Sequence, residues 1–120
     1  MKKILIVDDE PNIVMALEYT FKKSNYEVFI ARDGQEALDI LKTNFPDVII
    51  LDIMMPMVDG FATLEQIRSD ANLQRTKVMF LSAKNKKSDI EKGLALGADA
   101  YMTKPFSIKK VVEKVEDLLG

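Results

Sequence analysis

Three aspartates follow two short, wholly apolar segments of this chain. The first segment, residues 4–7, is followed by Asp8 and Asp9, and the second, residues 48–51, is followed by Asp52. Short runs of valine, isoleucine and leucine are typical of central parallel strands that are covered on both faces, and groups at the carboxyl ends of such strands meet at one edge of the sheet. The pattern therefore predicts that three carboxylates converge.

Converging carboxylates restrict the chemistry of such a site. Two unit charges about 4 Å apart repel by about 4 kcal/mol at an effective dielectric near 20, so the cluster needs protonation or a cation. A hard divalent cation such as Mg²⁺, or Mn²⁺, takes oxygen ligands, keeps several waters and is often shared with phosphate oxygens. We therefore expect a metal site with a phosphoryl group as the second ligand.

Length and composition narrow the class of protein. The 120 residues, 48% hydrophobic and 30% charged, fit one compact domain over residues 1–120. The net charge of -2 offers no global attraction to nucleic acid or to membranes, and neither is expected as a direct partner. The chain has no cysteine and no histidine, which excludes disulfides, thiolate chemistry, histidine-ligated zinc and histidine catalysis. No segment suits a signal peptide or a membrane span, which favours a cytoplasmic protein.

Strand-like and helix-like patterns alternate along the chain, as in βαβ units. The pattern predicts five strands, near residues 3–7, 27–31, 47–51, 78–81 and 100–103. It predicts five helices, which begin near Pro11, after Asp33-Gly34, near Phe61, near Ser88 and after Ser107, and Pro46 is expected to stop the second. Right-handed crossovers then give an α/β fold, a single flavodoxin-like doubly wound sheet of five parallel strands in the order 2-1-3-4-5.

That strand order brings the reactive groups together. Strands 1 and 3 become neighbours, so Asp8, Asp9 and Asp52 lie at the point where the strand order reverses. Ser82 and Lys104, at the ends of strands 4 and 5, flank them. Each residue alone is more often a cap, a turn or a surface group, but the five together favour a functional site.

Neighbouring residues have plainer interpretations. Glu10 is interpreted as a charge at the start of the first helix, favoured by the helix dipole and without a catalytic role. The methionines after Asp52 suit turn packing better than a soft-metal site; they are Met54, Met55 and Met57. A solvated loop is the plainest interpretation of the lysines Lys84, Lys86 and Lys87.

The chain resembles the receiver domain of two-component response regulators, including the chemotaxis regulators, over essentially its whole length. The matching segments are residues 6–10, 51–60, 81–83 and 97–106. The resemblance implies that Asp52 accepts a phosphoryl group. It also implies that Asp9 directly, Asp8 mainly through water, and the backbone carbonyl of Met54 bind Mg²⁺.

The resemblance assigns roles to residues of strands 4 and 5 as well. Ser82 would bond a phosphoryl oxygen, Lys104 would pair with the acceptor or the phosphoryl group, and Tyr101 would be the rotameric switch. Lys104-Pro105 would be a cis peptide, which an X-Pro bond tolerates.

The implied function is a phosphoacceptor switch. The donor would be a phosphohistidine on a sensor histidine kinase or a histidine phosphotransfer protein, because this chain has no histidine. The chain would act only on its own Asp52 and would not otherwise be an enzyme. Phosphorylation would move Ser82 and Tyr101, and would change the face of helix 4, strand 5 and helix 5 that an unidentified output partner contacts.

Rival functions differ in what they require. A dehalogenase-type phosphatase needs a second aspartate two residues after Asp52, where Met54 stands, and an electron carrier with a flavin phosphate would be repelled by the acidic segment 8–10. A constitutive interaction module that is never phosphorylated stays open as the alternative.

Two departures from the transcription-factor branch of the family add expectations. Ala95 and Ala100 stand where acids are common in that branch, so we expect a monomeric or weakly associating protein that signals by binding another protein. Lys84 is expected to help set the lifetime of the acyl phosphate by controlling the access of water.

Overall fold

The computed structural model describes residues 1–120, which form alternating strands and helices. The elements are β1 (Lys3–Val7), α1 (Pro11–Lys23), β2 (Glu27–Ala31), α2 (Gly34–Ile40), β3 (Val48–Leu51), α3 (Gly60–Ser69), β4 (Lys77–Ser82), α4 (Lys87–Ala95), β5 (Ala100–Thr103) and α5 (Ile108–Leu119). A short 3-10 helix, Ala71–Leu73, follows α3. No helix combines the length and the apolar character that a membrane crossing needs.

The five strands form one parallel sheet in the order β2-β1-β3-β4-β5, which confirms the predicted topology. β1 lies between β2 and β3, and Val7 pairs with Ala31 on one side and with Leu51 on the other. Because Val7 and Leu51 end their strands in register, Asp8 and Asp52 leave the sheet side by side.

Apolar side chains fill both faces of the sheet, which is why β1 and β3 are almost wholly apolar. On one face, side chains from β1 and β3 pack with α2 and α3, including Ala37, Leu64 and Ile67. On the other face they pack with α1 and α5, including Leu17 and Val111. Two buried layers hold the sheet rigid, so the groups at its carboxyl edge rest on a fixed frame.

The start and stop signals of the helices are largely confirmed. Asp33 and Ser107 cap α2 and α5 by accepting backbone N–H bonds at 2.8 and 3.0 Å. Gly97 follows α4 with φ of +110°, in the left-handed region that favours glycine.

The predicted end of the second helix is wrong. α2 ends at Ile40, six residues before Pro46, because the Asn44 side chain donates to the Ile40 carbonyl at 3.1 Å and the chain turns there. The 3-10 helix at residues 71–73 was not predicted, and Asp70 caps it. The remaining bounds that the sequence predicts lie within about a residue of the structure.

Candidate functional site

Asp8 and Asp52 are buried carboxylates at the carboxyl ends of β1 and β3, with 2% and 3% of their surfaces exposed. Asp8 Oδ1 accepts the backbone N–H of Glu10 at 2.9 Å. Asp52 Oδ1 accepts the backbone N–H of Met54 at 3.3 Å, which is a weak bond. These few backbone donors are little compensation for the loss of water around two buried carboxylates.

The ammonium of Lys104 is the positive charge of this cluster. Its Nζ lies 2.7 Å from Glu10 Oε1, 3.0 Å from Asp8 Oδ2 and 3.5 Å from Asp52 Oδ2. The peptide bond between Lys104 and Pro105 is cis, as expected. The Lys104 ammonium thus contacts three carboxylates, and that of the predicted acceptor Asp52 is the most distant of them.

The charges of the cluster do not balance. Burial raises the pKa of Asp52, the neighbouring Asp8 raises it further, and Lys104 lowers it only in part. Burial alone would lower the pKa of Lys104, but its contacts with Glu10 and Asp8 outweigh burial and raise the pKa. Three carboxylates and one ammonium leave two negative charges without a partner when all four groups are ionised.

The donor set fits a hard divalent cation. Asp8, Glu10 and Asp52 each offer an oxygen, and these atoms lie within 4.8 Å of one another. Oxygen ligands with surplus negative charge suit Mg²⁺. The structure brings Asp8 and Asp52 together as predicted but leaves the exposed Asp9 outside this group, where its carboxylate makes no hydrogen bond or ion pair.

The interpretation of Glu10 as a charge at the start of α1 is confirmed, but its pairing with Lys104 was not predicted. Glu10 occupies the N-cap position of α1, but its side chain makes no capping hydrogen bond and instead contacts Lys104. The pairing with a mostly buried ammonium is a charge-assisted bond, which is stronger than a bond to a neutral amide. The position of Glu10 directly after two strand-end acids was the signal that could have placed it in the cluster.

The loop between β3 and α3 fits closely around the backbone of Asp52. A Cβ on Gly60 would collide with the carbonyl oxygen of Asp52, so only glycine fits where α3 begins. Asp59 caps α3 by accepting the N–H of Ala62 at 2.9 Å. Met57 has φ of +68°, an unusual conformation for a residue with a side chain, at the exposed tip of this loop.

Ser82 and Tyr101 are linked through the backbone of Lys84. Ser82 is fully buried at the end of β4, and its Oγ accepts the N–H of Lys84 at 3.3 Å. The hydroxyl of Tyr101 donates to the Lys84 carbonyl at 2.7 Å, while its ring packs against Phe80. Lys84, interpreted from the sequence as part of a solvated loop, is half-buried and joins the site to β5.

The chain is similar in sequence to known proteins over nearly its whole length. The family model described as response regulator receiver domain matches residues 4–116. The alkaline phosphatase synthesis transcriptional regulatory protein PhoP of Bacillus subtilis (strain 168) is 45% identical over 118 residues, which are 98% of this chain and 48% of that protein. The chain thus spans about half the length of this relative.

Two solved structures are similar over nearly their full lengths. The receiver domain of the Francisella response regulator 1452 is 36% identical, with a TM-score of 0.91 and coverage of 99% of this chain and 97% of that one. The chemotaxis response regulator CheY4 of Vibrio cholerae is 31% identical, with a TM-score of 0.93 and coverage of 99% of each chain.

Proposed function

Because this chain belongs to the response regulator receiver domain family, we propose that it is a phosphoacceptor switch of a two-component or phosphorelay system, with Asp52 as the acceptor. One observation carries the proposal. A buried aspartate at the carboxyl edge of a parallel sheet stands beside a second carboxylate and within 3.5 Å of the Lys104 ammonium. Ligands of such sheets bind at this edge.

The proposed reaction needs no histidine from this chain. A carboxylate oxygen of Asp52 attacks the phosphorus of a phosphohistidine on a sensor histidine kinase or a histidine phosphotransfer protein. The new O–P bond forms while the N–P bond breaks, and the imidazole nitrogen keeps the electron pair and takes a proton from water. The product is an acyl phosphate on Asp52 and a free histidine on the partner.

The residues around Asp52 act by position and charge, as is usual in phosphoryl transfer. Lys104 neutralises charge on the phosphoryl oxygens, and the hydroxyl of Ser82 donates a hydrogen bond to one of them. Asp8, Asp52, Asp9 and the Met54 carbonyl are the oxygen groups that would hold Mg²⁺ or Mn²⁺, and the bound cation would supply further positive charge to the phosphoryl oxygens.

The phosphorylated state is temporary because water can attack the acyl phosphate in line. The bond between phosphorus and the Asp52 oxygen then breaks, which restores the carboxylate and releases inorganic phosphate. The chain therefore turns over only its own phosphoryl group, as a switch and not as an enzyme with an independent substrate.

The signal is proposed to leave through the backbone of Lys84. A phosphoryl group on Asp52 draws the Ser82 hydroxyl toward it, and the Lys84 segment that bonds Ser82 also accepts from Tyr101. A shift there changes the face of α4, β5 and α5 that an output partner contacts, in the cytoplasm.

Intact mass after incubation with acetyl phosphate tests the proposal. Wild type with Mg²⁺ is expected to gain one phosphoryl group, while wild type without Mg²⁺ and Asp52→Asn with Mg²⁺ are expected to gain none. If wild type with Mg²⁺ gains no group and does not bind beryllofluoride, the proposal is overturned in favour of the constitutive interaction module.

A further inference from the structure

The shortest contact of the Lys104 ammonium is with Glu10 and not with the proposed acceptor. Nζ lies 2.7 Å from Glu10 Oε1 and 3.5 Å from Asp52 Oδ2. We propose that Glu10 is a positioning residue that binds the Lys104 ammonium until a phosphoryl group arrives, and that it thereby sets the rate at which the site accepts that group. The inference rests on the proposed function, in which Lys104 meets the phosphoryl oxygens.

Glu10 gives up other interactions to hold the lysine. It stands at the N-cap of α1, where a carboxylate has backbone N–H groups to accept from, yet it makes no capping bond. Its backbone N–H is used on Asp8 Oδ1 at 2.9 Å. One residue therefore both orients the buried Asp8 and occupies Lys104.

Among the three acceptors of Lys104, Glu10 is the one that can be exchanged. The Asp8 and Asp52 side chains are 3% and 4% exposed, whereas that of Glu10 is 55% exposed. A carboxylate in water regains its hydration when an ion pair opens, so releasing it costs little. Releasing a buried carboxylate leaves a charge unpaired in the protein and costs much more.

Two consequences for the reaction follow from this geometry. The incoming phosphoryl group must compete with Glu10 for Lys104, and its oxygens meet one more negative charge at the entrance of the site. Both effects slow the transfer to Asp52. Removing the Glu10 carboxylate should therefore accelerate phosphorylation while leaving the metal ligands in place.

The first test compares Glu10→Gln with Glu65→Gln, a matched loss of charge from an exposed α3 side chain that makes no hydrogen bond or ion pair. Time-resolved intact mass with acetyl phosphate at saturating Mg²⁺ gives the rate constant of phosphorylation. We expect it to rise about three- to tenfold in Glu10→Gln, the effect of releasing one charge partner, and to stay unchanged in Glu65→Gln. No acceleration in Glu10→Gln overturns the inference.

A double-mutant cycle separates the release of Lys104 from a direct effect of charge. In a Lys104→Ala background, Glu10→Gln should accelerate phosphorylation much less than in wild type, because there is no ammonium to release and only the effect of the Glu10 charge is left. An equal acceleration in that background overturns the inference and assigns the effect to the Glu10 charge alone.

Glu10 could instead bind the metal, because its carboxylate lies in the group formed with Asp8 and Asp52. The affinity for Mg²⁺, measured by titration calorimetry, tests this second role. It should stay within about threefold of wild type in Glu10→Gln. A loss of more than about tenfold, the effect of removing a group that orients a metal ligand, would overturn the inference by making Glu10 part of the metal site. A wild-type protein that takes up no phosphoryl group and binds no beryllofluoride overturns the proposed function itself, which is a distinct outcome from equal rates in wild type and Glu10→Gln.

Discussion

Two charged clusters lie at opposite edges of the sheet and differ in how far their charges are matched. At the amino edge, Arg68 donates to the carbonyls of Gly97 and Thr76 and to the carboxylate of Asp99, each at 2.9 Å. Asp99 also accepts the N–H of Val78 at 2.8 Å. At the carboxyl edge, one ammonium serves three carboxylates.

The Arg68 ion pair has matched charges and supports the fold, whereas the cluster around Lys104 has unmatched negative charges that a ligand could neutralise. Around Arg68 every charge has its partner, and the guanidinium ties α3 to the turns that precede β4 and β5. Around Lys104 burial raises the pKa of Asp52 and the neighbouring Asp8 raises it further, and perturbed ionisable groups in one place are typical of functional sites. Substituting Arg68 should therefore destabilise the protein, whereas substituting Asp52 in the Lys104 cluster should stabilise it.

The largest expected effect comes from breaking the balanced cluster. Arg68→Ala leaves the Asp99 carboxylate with only the N–H of Val78 and removes the donor of two carbonyls, so it should lower the free energy of unfolding by about 2–3 kcal/mol. Urea denaturation measures the loss. Arg75→Ala is the control, because Arg75 is exposed and makes no hydrogen bond or ion pair. Equal stability of the two variants would mean that the amino edge does not depend on Arg68.

The two clusters were not equally predictable from the sequence. Asp8 and Asp52 follow apolar runs, and the strand order of a βαβ fold places the ends of β1 and β3 together, so their convergence follows from pattern and topology. The Arg68–Asp99 pair joins residues 31 positions apart. No periodic pattern in the sequence predicts that these two residues meet. Asp99 and the carbonyls that accept from Arg68 lie in the turns before β4 and β5, whose conformation depends on packing.

The same distinction explains the residues around the site. Strand ends fix where Ser82 and Lys104 leave the sheet; Lys104 lies 3.5 Å from Asp52, and Ser82 ends β4, the strand beside β3. The side-chain direction of Glu10 depends on the loop that follows β1, and the sequence pattern does not encode that direction. The metal role of Asp9 stays a prediction, because its carboxylate lies outside the group formed by Asp8, Glu10 and Asp52.

The unbalanced cluster around Lys104 should lower the stability of the folded protein through the charge of Asp52. Burial and Asp8 raise the pKa of Asp52 in the folded protein above its value near 3.9 in the unfolded chain. Folded protein then binds the proton more tightly, so ionising Asp52 costs stability. That cost is absent below about pH 4, grows as the pH rises through the folded-state pKa and is constant above it.

Asp52→Asn removes this cost and should be more stable than wild type at pH 7, by about 1 kcal/mol. The gain should shrink on acidification and vanish below about pH 4, where Asp52 is protonated in both states. Denaturation curves without divalent cations, between pH 3.5 and 7, measure it. Glu65→Gln should show no such gain, and a destabilised Asp52→Asn at pH 7 would mean that the contact with Lys104 outweighs the repulsion from Asp8.

The smallest effect is expected on β5, which joins the two edges. Tyr101→Phe removes the bond from the tyrosine hydroxyl to the Lys84 carbonyl but keeps the ring against Phe80, so stability should fall by only about 0.5–1 kcal/mol. Tyr19→Phe is the control, because Tyr19 is 68% exposed and its hydroxyl makes no hydrogen bond.

The loss from Tyr101→Phe should be local. Because Lys84 also donates to Ser82, freeing its carbonyl loosens the segment after β4, and amide hydrogen exchange should become faster in residues 83–86 than in the strands. The Arg68 network shares no bond with that segment, so exchange near Val78 should not change. Faster exchange at both edges would show that β5 transmits the change along its length, and that the two clusters are coupled and not independent.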